Sequence, residues 1–549
     1  MTDDQGYGDM SAHGNPILKT PEMDKIHAQS VRFTDFHVSP KCTPTRGSLM
    51  TGLDPMRNGA THVCQGLSMM NREVKIMPQY FAESGYATGL FGKWHLGDSY
   101  PHQPRFRGFQ EVLSFRAWGI TSLADYWGNT YFNPMLMHNG VDEKYEGYCT
   151  DIFFDEAMKW MSSCKDQGKP FFVYLPTNTP HYPNVCPKKF SDPYKGKKHK
   201  GLLAHAEFYG MISNIDENMG RLENFLKEKD LRDNTILLFL SDNGSQSVKA
   251  AKLYNAGMKS HKGSIYEGGH RVHLFVRWID GQLSHGKDIS DLTIVQDILP
   301  TLVELCGLKD KKNQHDGRSF AELLKGKKES LEERISVIQA FNNAKKWSHA
   351  LVMKDKWRLM RHKGGNELYD ISLDPHQDQN VYDQFPEVVK ELSSHYDLWY
   401  KGTAKAWHDP RYIIIGSEYQ NPLNLYSNDW IGDYCDHAGN LGQAKAKGFW
   451  HIQVEREGEY EIELRRWPEE SQKTLVEAWA PNKPKTARPI AKASLKVADF
   501  EKAVAINAED THAQFTVRLK KGQTKLETRF FDEHGKVLGS AIYVKVTRK

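Results

Sequence analysis

The 549-residue sequence contains no long apolar run, few cysteines and almost no excess of charge of either sign. Its unbroken aliphatic or aromatic stretches are no longer than residues 236–240, far short of the roughly 18 residues that a membrane-spanning helix needs. The seven cysteines include no Cys-x-x-Cys pair, which argues against a zinc ribbon, and they are too sparse for a disulfide scaffold. A net charge of +4, from 73 basic and 69 acidic side chains, excludes nucleic-acid binding driven by bulk charge.

The composition instead predicts a large α/β protein. Hydrophobic residues make up 39% of the chain, which is enough for an extensive core. Continuous apolar runs are typical of strands buried on both faces, and they occur at residues 86–95, 170–176, 235–241 and 271–278. Amphipathic helical patterns occur at residues 150–164, 204–228 and 291–306. This alternation predicts a doubly wound, mostly parallel sheet flanked by helices, with functional groups at the carboxyl ends of its strands.

Changes in composition divide the chain into three predicted segments. A Lys- and Glu-rich stretch at residues 326–334 ends the main α/β domain, which we place at residues 1–330. Residues 331–411 carry a strand-like and a helical pattern and are predicted to form a smaller α+β subdomain. In residues 412–549, apolar residues alternate with period two between turns, which predicts a β-rich C-terminal region such as a small sandwich.

The most informative segment begins at Cys42 and reads CTPTRGSLMTG. A cysteine at the start of a helix and four residues before Arg46 is expected to have a depressed pKa, because both features stabilise a thiolate. The complete string resembles the signature of the sulfatase family, Cys-x-Pro-Ser/Thr-Arg-x-x-x-x-Thr-Gly. The resemblance implies an alkaline phosphatase-like fold and a Cys42 that is oxidised after translation to formylglycine.

Two acidic loops predict a metal site. Asp3 and Asp4 are adjacent, and adjacent carboxylates repel each other unless a cation lies between them. They resemble the first metal-binding loop of the sulfatases, and Asp242 with Asn243 resembles the second. Three carboxylates and one amide oxygen form a hard, all-oxygen site, which suits one Ca²⁺ ion, with Mg²⁺ as the alternative, and suits zinc poorly.

Four further side chains match the family in the order that the family shows. Lys93 and His95 stand two residues apart in a predicted strand, so we expect them on the same face. His181 lies in a Pro-rich loop, residues 179–183, that resembles the second histidine loop of the family. Lys262 begins a glycine-rich segment that resembles the sulfate-binding lysine loop.

The resemblance implies a mechanism for sulfuric ester hydrolysis in which each of these groups has a role. Arg46, Lys93, Lys262 and the divalent cation offset the repulsion between an anionic nucleophile and an anionic ester. One hydroxyl of hydrated formylglycine attacks sulfur while His181, helped by Lys262, protonates the departing alcohol. His95 then removes the proton from the remaining hydroxyl, and the sulfated hemiacetal collapses to sulfate and the aldehyde.

The resemblance implies that the substrate is a sulfated carbohydrate. Within that class, we expect a galactose-type glycan. The implied maturation partner is a formylglycine-generating enzyme, and neither a nucleic-acid partner nor a membrane span is expected. Tyr126, Trp127 and Tyr131 are candidates for stacking on sugar rings, with core packing as the alternative. A Lys-rich stretch at residues 188–200 either attracts a polyanionic glycan or forms an ordinary solvated loop.

The N-terminus departs from the family pattern. Family members carry an apolar strand directly before the Asp-Asp pair, usually preceded by a signal peptide, whereas only Met1 and Thr2 precede Asp3 here. We therefore expect a truncated N-terminus that holds its metal ligands loosely and binds the cation weakly. The resemblance implies a periplasmic or extracellular location, although no signal peptide is visible in this chain.

Two other functions stay open at this point. A phosphonate or phosphodiester hydrolase of the same superfamily would resemble the sulfatases closely around the nucleophile. An inactive, glycan-binding pseudosulfatase is the second alternative, because the absence of the N-terminal strand would disturb the metal site.

Overall fold

The computed structural model describes residues 1–310, 314–340, 345–407, 409–443, 445–480 and 483–549. These residues form the expected α/β fold, with mixed sheets, flanking helices and a β-rich C-terminal region. The α-helices span Pro21–Ala28, Cys42–Thr51, Pro55–Asn58, Met77–Glu83, Cys149–Asp166, Lys188–Ser191, Ala206–Glu228, Val248–Leu253, Glu267–His270, Ile298–Leu305, Ala321–Leu324, Pro386–Trp407 and Ala438–Gln443. None of the helices in the described ranges combines the length and apolarity that crossing a bilayer requires.

Two five-stranded sheets form the N-terminal part, and all four strands predicted from apolar runs are present in them. The first sheet contains Asp288–Ile289, Thr293–Ile294, Val31–His37, Arg271–Arg277 and Leu237–Leu240. The second sheet contains Val141–Lys144, Met135–His138, Glu111–Phe115, Ala87–Lys93 and Phe171–Tyr174. A separate two-stranded ribbon joins Lys198–His199 to Leu202–Leu203.

An apolar groove of about 740 Å³ separates the two sheets. Its sides include Phe171–Tyr174 and Leu237–Leu240, which are the outermost strands of their sheets in the described part of the chain. Edge strands present rows of backbone donors and acceptors on their open side. The groove therefore offers backbone pairing on both flanks and an apolar lining between them.

Met1 and Thr2 close one end of this groove by binding both sheets. The Thr2 amide donates to the Leu240 carbonyl at 2.9 Å, and the Met1 ammonium donates to the Leu175 carbonyl at 3.1 Å. Burial, followed by the charge of Arg46, lowers the pKa of the Met1 ammonium to about 5. The backbone of Met1 and Thr2 is thus bound to both sheets, and the expected weak binding of the cation stays a prediction.

Extending the chain ahead of Met1 with about six β-branched apolar residues is expected to raise the melting temperature, since a strand there would pair with the open edges of Phe171–Tyr174 and Leu237–Leu240. The extension would bury apolar surface and replace a buried terminal amine with a peptide amide. We expect calorimetry to show a rise of at least about 2 °C. A Gly/Ser extension of equal length is the control, and equal melting temperatures for the two extensions would contradict this account of the groove.

Residues beyond the two sheets form an antiparallel four-stranded meander and a covering helix. The strands are Ile335–Gln339, Ala350–Lys354, Trp357–His362 and Gly365–Asp370. Leu392 and Tyr396 of the helix Pro386–Trp407 pack on Val352 and Leu359 of the meander. The amphipathic helix thus buries its apolar stripe on one face of this sheet.

The C-terminal region is a β-sandwich whose two sheets share one core. One sheet contains Ile413–Ile415, Ile431–Gly432, Gly448–Val454, Lys492–Val497, Phe500–Ala505, Gly522–Phe531 and Val537–Gly539. The other contains Leu423–Tyr426, Gly458–Arg465, Ala513–Leu519 and Tyr543–Arg548. The same core includes Trp118 and Leu123 of the N-terminal part, so the sandwich packs directly on it. We keep residues 1–330, 331–411 and 412–549 as proposed domain limits.

Candidate active site

The predicted site residues lie where strands of both sheets end. Lys93 is the last residue of Ala87–Lys93, and Asp242 follows Leu237–Leu240 after one residue. The signature segment forms the helix Cys42–Thr51, which ends because Gly52 takes a left-handed conformation with φ of 65°. The segment thus places Cys42 at the helix N-terminus.

Two buried aspartates are each held by a lysine. Lys93 Nζ donates to the two carboxylate oxygens of Asp3 at 2.8 and 3.0 Å. Lys262 Nζ lies 2.7 Å from each carboxylate oxygen of Asp4. Burial raises the pKa of Asp3 well above its usual value, despite the opposing charge of Lys93. An additional cation beside Asp3 would therefore favour the ionised carboxylate.

The third aspartate of the site is fixed by the arginine of the signature. Arg46 donates to Asp242 Oδ2 from Nε at 3.0 Å and from a terminal nitrogen at 2.7 Å. Burial alone would raise the pKa of Asp242, but the charges of Arg46, Lys93 and Lys262 hold it well below its usual value. Asp242 is therefore ionised at neutral pH.

The oxygen atoms around Asp242 fit a hard divalent cation. Asn243 Nδ2 donates to Asp4 Oδ1 at 2.7 Å, and Asn243 Oδ1 is buried with no hydrogen-bond partner among the described residues. One ligand atom each from Asp3, Cys42 and Asp242 lie within 4.8 Å of one another. A cation would satisfy the orphaned amide oxygen and the carboxylates together.

Cys42 itself is a poor nucleophile. The side chain is 2% exposed, and burial raises the pKa of its thiol although Lys93 and Lys262 oppose that effect. The predicted depression of this pKa is wrong, because desolvation dominates and the Arg46 guanidinium is bound to Asp242.

His181 faces the carboxylate side of the site. Its Nε2 atom lies 3.6 Å from Asp4 Oδ2, and its Nδ1 atom lies 2.8 Å from the Tyr182 carbonyl. Burial lowers the pKa of His181 to about 3, although the Asp4 charge opposes the shift. The imidazole is thus neutral at pH 7 when neither a cation nor a substrate is bound.

His95 reaches the site from a turn. The strand ends at Lys93, and His95 has a φ of 59°, so the predicted placement of both side chains on one strand face is wrong. His95 Nε2 lies 3.0 Å from the Val63 carbonyl, and Nδ1 is buried without a partner in the part of the chain that the structure describes. Burial lowers the pKa of His95 well below its usual value.

Two of the three predicted sugar-stacking residues pack inside the protein. Tyr131 is 1% exposed and donates to the carbonyls of His181 and Tyr182, each at 3.2 Å, so it positions the histidine loop. Trp127 packs on Trp467, with ring centroids 5.8 Å apart. The stacking role is therefore wrong for Tyr131, and core packing is the better account of Trp127.

A buried ion network that the sequence did not reveal lies behind the Lys262 loop. Arg358, from the meander, donates to Glu267 Oε1 at 2.9 Å and to Asp35 Oδ1 at 3.0 Å. His37 and His270 join it, with their Nδ1 atoms 2.9 Å apart. His37, Glu267 and His270 are residue types that bind metals, but the Arg358 guanidinium already supplies the positive charge there. The network therefore ties the meander to the main domain.

The fold and this site define a hydrolase of anionic esters with an alkaline phosphatase-like α/β core. The sequence profile of the sulfatase family matches residues 1–308. The profile of the N-sulphoglucosamine sulphohydrolase C-terminal domain matches residues 260–398. The chain therefore belongs to the sulfatase family and is a sulfuric ester hydrolase.

Known sulfatases resemble this chain at modest identity. Human arylsulfatase A is 26% identical over 431 residues, which cover 72% of this chain and 80% of that protein. Rat N-acetylgalactosamine-6-sulfatase is 25% identical over 342 residues, covering 56% of this chain and 61% of that protein.

Solved structures show the same fold. The structure of Ps i-CgsB in complex with k-i-k-neocarrahexaose superposes with a TM-score of 0.66 at 26% identity and covers 73% of this chain and 92% of that one. A phosphonate monoester hydrolase of Agrobacterium radiobacter shares only the fold, with a TM-score of 0.53 at 17% identity, covering 73% of this chain and 95% of that one.

Adding Ca²⁺ is expected to raise the melting temperature, and Asp242→Asn is expected to abolish that rise, because the ion needs the Asp242 carboxylate. At a hundredfold excess over Kd, a bound ion stabilises the folded chain by about 2.7 kcal/mol. Calorimetry with and without Ca²⁺ measures the difference. Asp230→Asn, at a carboxylate whose side chain is 94% exposed, is the matched control and should keep the full rise. An equal rise in Asp242→Asn would place the ion elsewhere.

Proposed function

We propose that the protein removes sulfate from a sulfated carbohydrate, with formylglycine formed from Cys42 as the nucleophile and one Ca²⁺ ion in the site. The observation that carries this proposal is the largely buried group of paired charges around Cys42, which comprises Asp3, Asp4, Asp242, Arg46, Lys93 and Lys262. A divalent cation bound among these groups gives the site a net positive charge. A positive, desolvated site stabilises the anionic oxygens of a sulfate ester.

The side chains of the site have separate roles in the proposed reaction. Arg46 orients Asp242, and Lys93 and Lys262 present ammonium groups to the same small volume. When bound and formed, the cation and the hydrated aldehyde supply charge stabilisation, an oxygen nucleophile and a second hydroxyl for release of sulfate.

Proton transfer is assigned to the two histidines. His181 lies beside Asp4, and an anionic ester placed there adds negative potential that favours the protonated imidazole. His181 then donates its proton to the departing alcohol. His95, whose Nδ1 is buried and unpartnered within the described ranges, accepts a proton in the release of sulfate.

A carbohydrate substrate is supported by the relatives. The Ps i-CgsB structure holds a neocarrahexaose, and the rat relative is named for N-acetylgalactosamine 6-sulfate chemistry. We therefore propose a galactose-type glycan sulfate. A formylglycine-generating enzyme is the proposed maturation partner, and the periplasm or the extracellular space is the proposed location.

Sulfate release from sulfated galactose oligosaccharides tests the proposal with protein co-expressed with a formylglycine-generating enzyme. Cys42→Ala is expected to lower kcat by at least about 10⁴-fold, because it removes the nucleophile. Cys42→Ser should stop after one turnover, since serine has no second hydroxyl with which to expel sulfate. Ion chromatography measures the released sulfate.

Cys164→Ala, at a buried cysteine in the helix Cys149–Asp166, is the matched control and should retain activity. Mass spectrometry of the peptide across residue 42 verifies conversion. Faster turnover of a phosphodiester would favour the phosphonate and phosphodiester alternative. Glycan binding without sulfate release, after verified conversion, would favour the pseudosulfatase.

A further inference from the structure

The C-terminal sandwich, which neither family profile reaches, supplies side chains near the active site. Its loop of residues 433–437 is bound to the N-terminal part. The Asp436 carbonyl accepts hydrogen bonds from Trp118 Nε1 and from the Leu123 amide, each at 3.0 Å. The loop is therefore held in a fixed position against the N-terminal part.

A row of side chains, with Tyr434 and His437 from this loop and Trp118 and His62 from the N-terminal part, has one end at the proposed proton donor. The Trp118 ring centroid lies 5.2 Å from that of His437 and 5.2 Å from that of His181. Trp118 is 5% exposed, so it is held between the two imidazoles. His437 thus lies one ring away from the group that protonates the departing alcohol.

The other end of the row reaches the nucleophile. Tyr434 Oη lies 3.5 Å from His437 Nε2, and the Tyr434 ring lies 6.5 Å from that of His62. His62 Nε2 lies 3.1 Å from Lys41 Nζ, and Lys41 directly precedes Cys42. The row therefore connects the proton donor to residue 42 along one side of the site.

The two members of the row that come from the loop, Tyr434 and His437, are exposed to solvent. Tyr434 is 41% exposed, and the His437 side chain is 52% exposed, whereas His62 is 5% exposed. An aromatic face, a phenol hydroxyl and an imidazole are suited to a sugar, because they combine apolar contact with hydrogen bonding to hydroxyl groups. The departing alcohol must lie beside His181. From that position, the exposed pair of His437 and Tyr434 comes next along the row, beyond Trp118.

We propose that Tyr434 and His437 determine substrate specificity by contacting the sugar that carries the sulfate ester. Tyr434 offers its hydroxyl and ring face, and His437 offers its imidazole. The favoured substrate is thus a glycan sulfate rather than a small aryl sulfate, and the C-terminal sandwich is part of the substrate site. This inference deepens the proposed sulfatase function and rests on it.

The assignment is tested by measuring the kinetics on two substrates. One is a sulfated galactose oligosaccharide, and the other is 4-nitrophenyl sulfate. His437→Ala is expected to lower kcat/KM for the oligosaccharide about tenfold, mainly through KM, since it removes hydrogen bonding and contact area. The same variant should keep kcat/KM for the aryl sulfate within about twofold, because the aryl ring that takes the place of the sugar has no hydroxyl groups to bond to His437. Tyr434→Phe removes only a hydroxyl from an exposed ring and should show the same selectivity with a loss of about threefold.

His534→Ala is the matched control, since its side chain is 82% exposed in another turn of the same region, and it should change neither substrate. Unchanged oligosaccharide kinetics in His437→Ala and Tyr434→Phe would overturn the assignment. Equal losses of kcat/KM on both substrates would also overturn it, since the loop would then act by positioning the catalytic groups and not by contacting the sugar.

A binding measurement separates this inference from the proposed function. If the unsubstituted, converted protein releases no sulfate from either ester, the proposed function fails. Calorimetric titration of the same oligosaccharide into Cys42→Ala, with and without His437→Ala, then decides the assignment. We expect binding about tenfold weaker in the double variant, and equal affinities would reject a contact between His437 and the sugar.

Discussion

Three carboxylates and three cations lie paired around residue 42, all of them buried except the partly exposed Lys262, and the rest of the architecture keeps them together. Removing a single charge from water costs several kcal/mol, so such groups are tolerated inside a protein only when each has a partner. Two sheets contribute the ends of their strands to this cluster, and the groove between them is closed at the site by Met1 and Thr2. A divalent cation bound in this cluster would make it attractive to an anionic ester.

All three proposed segments of the chain contribute side chains in this cluster or near it. The N-terminal part supplies the ion pairs, and the meander supplies Arg358, which braces the loop carrying Lys262 through Glu267. The sandwich supplies the loop that carries Tyr434 and His437. Chemistry and recognition thus come from different segments, so substrate preference can change without disturbing the ion pairs.

The strands that follow from local sequence pattern, and the site residues that follow from motif spacing, were mostly predicted from the sequence. The four apolar runs became strands, and the motif residues lie around one site because strand ends meet there. Val31–His37 was missed because Arg32 and Asp35 interrupt its apolar residues. The thiol pKa and the orientation of His95 were mispredicted because desolvation and a backbone turn decided them. The contact of Trp118 with His437 joins residues that no local pattern connects.

The position of the cation in crystals of the converted protein tests the central claim most directly. Bound Ca²⁺ can be located by its anomalous scattering. The account predicts one peak at about 2.3–2.6 Å from oxygens of Asp3, Asp4, Asp242 and Asn243, the range for Ca²⁺. It also predicts that the Lys93 and Lys262 ammonium groups move off their aspartates. A peak away from these oxygens, or no peak with both lysines still bound to Asp3 and Asp4, would contradict it.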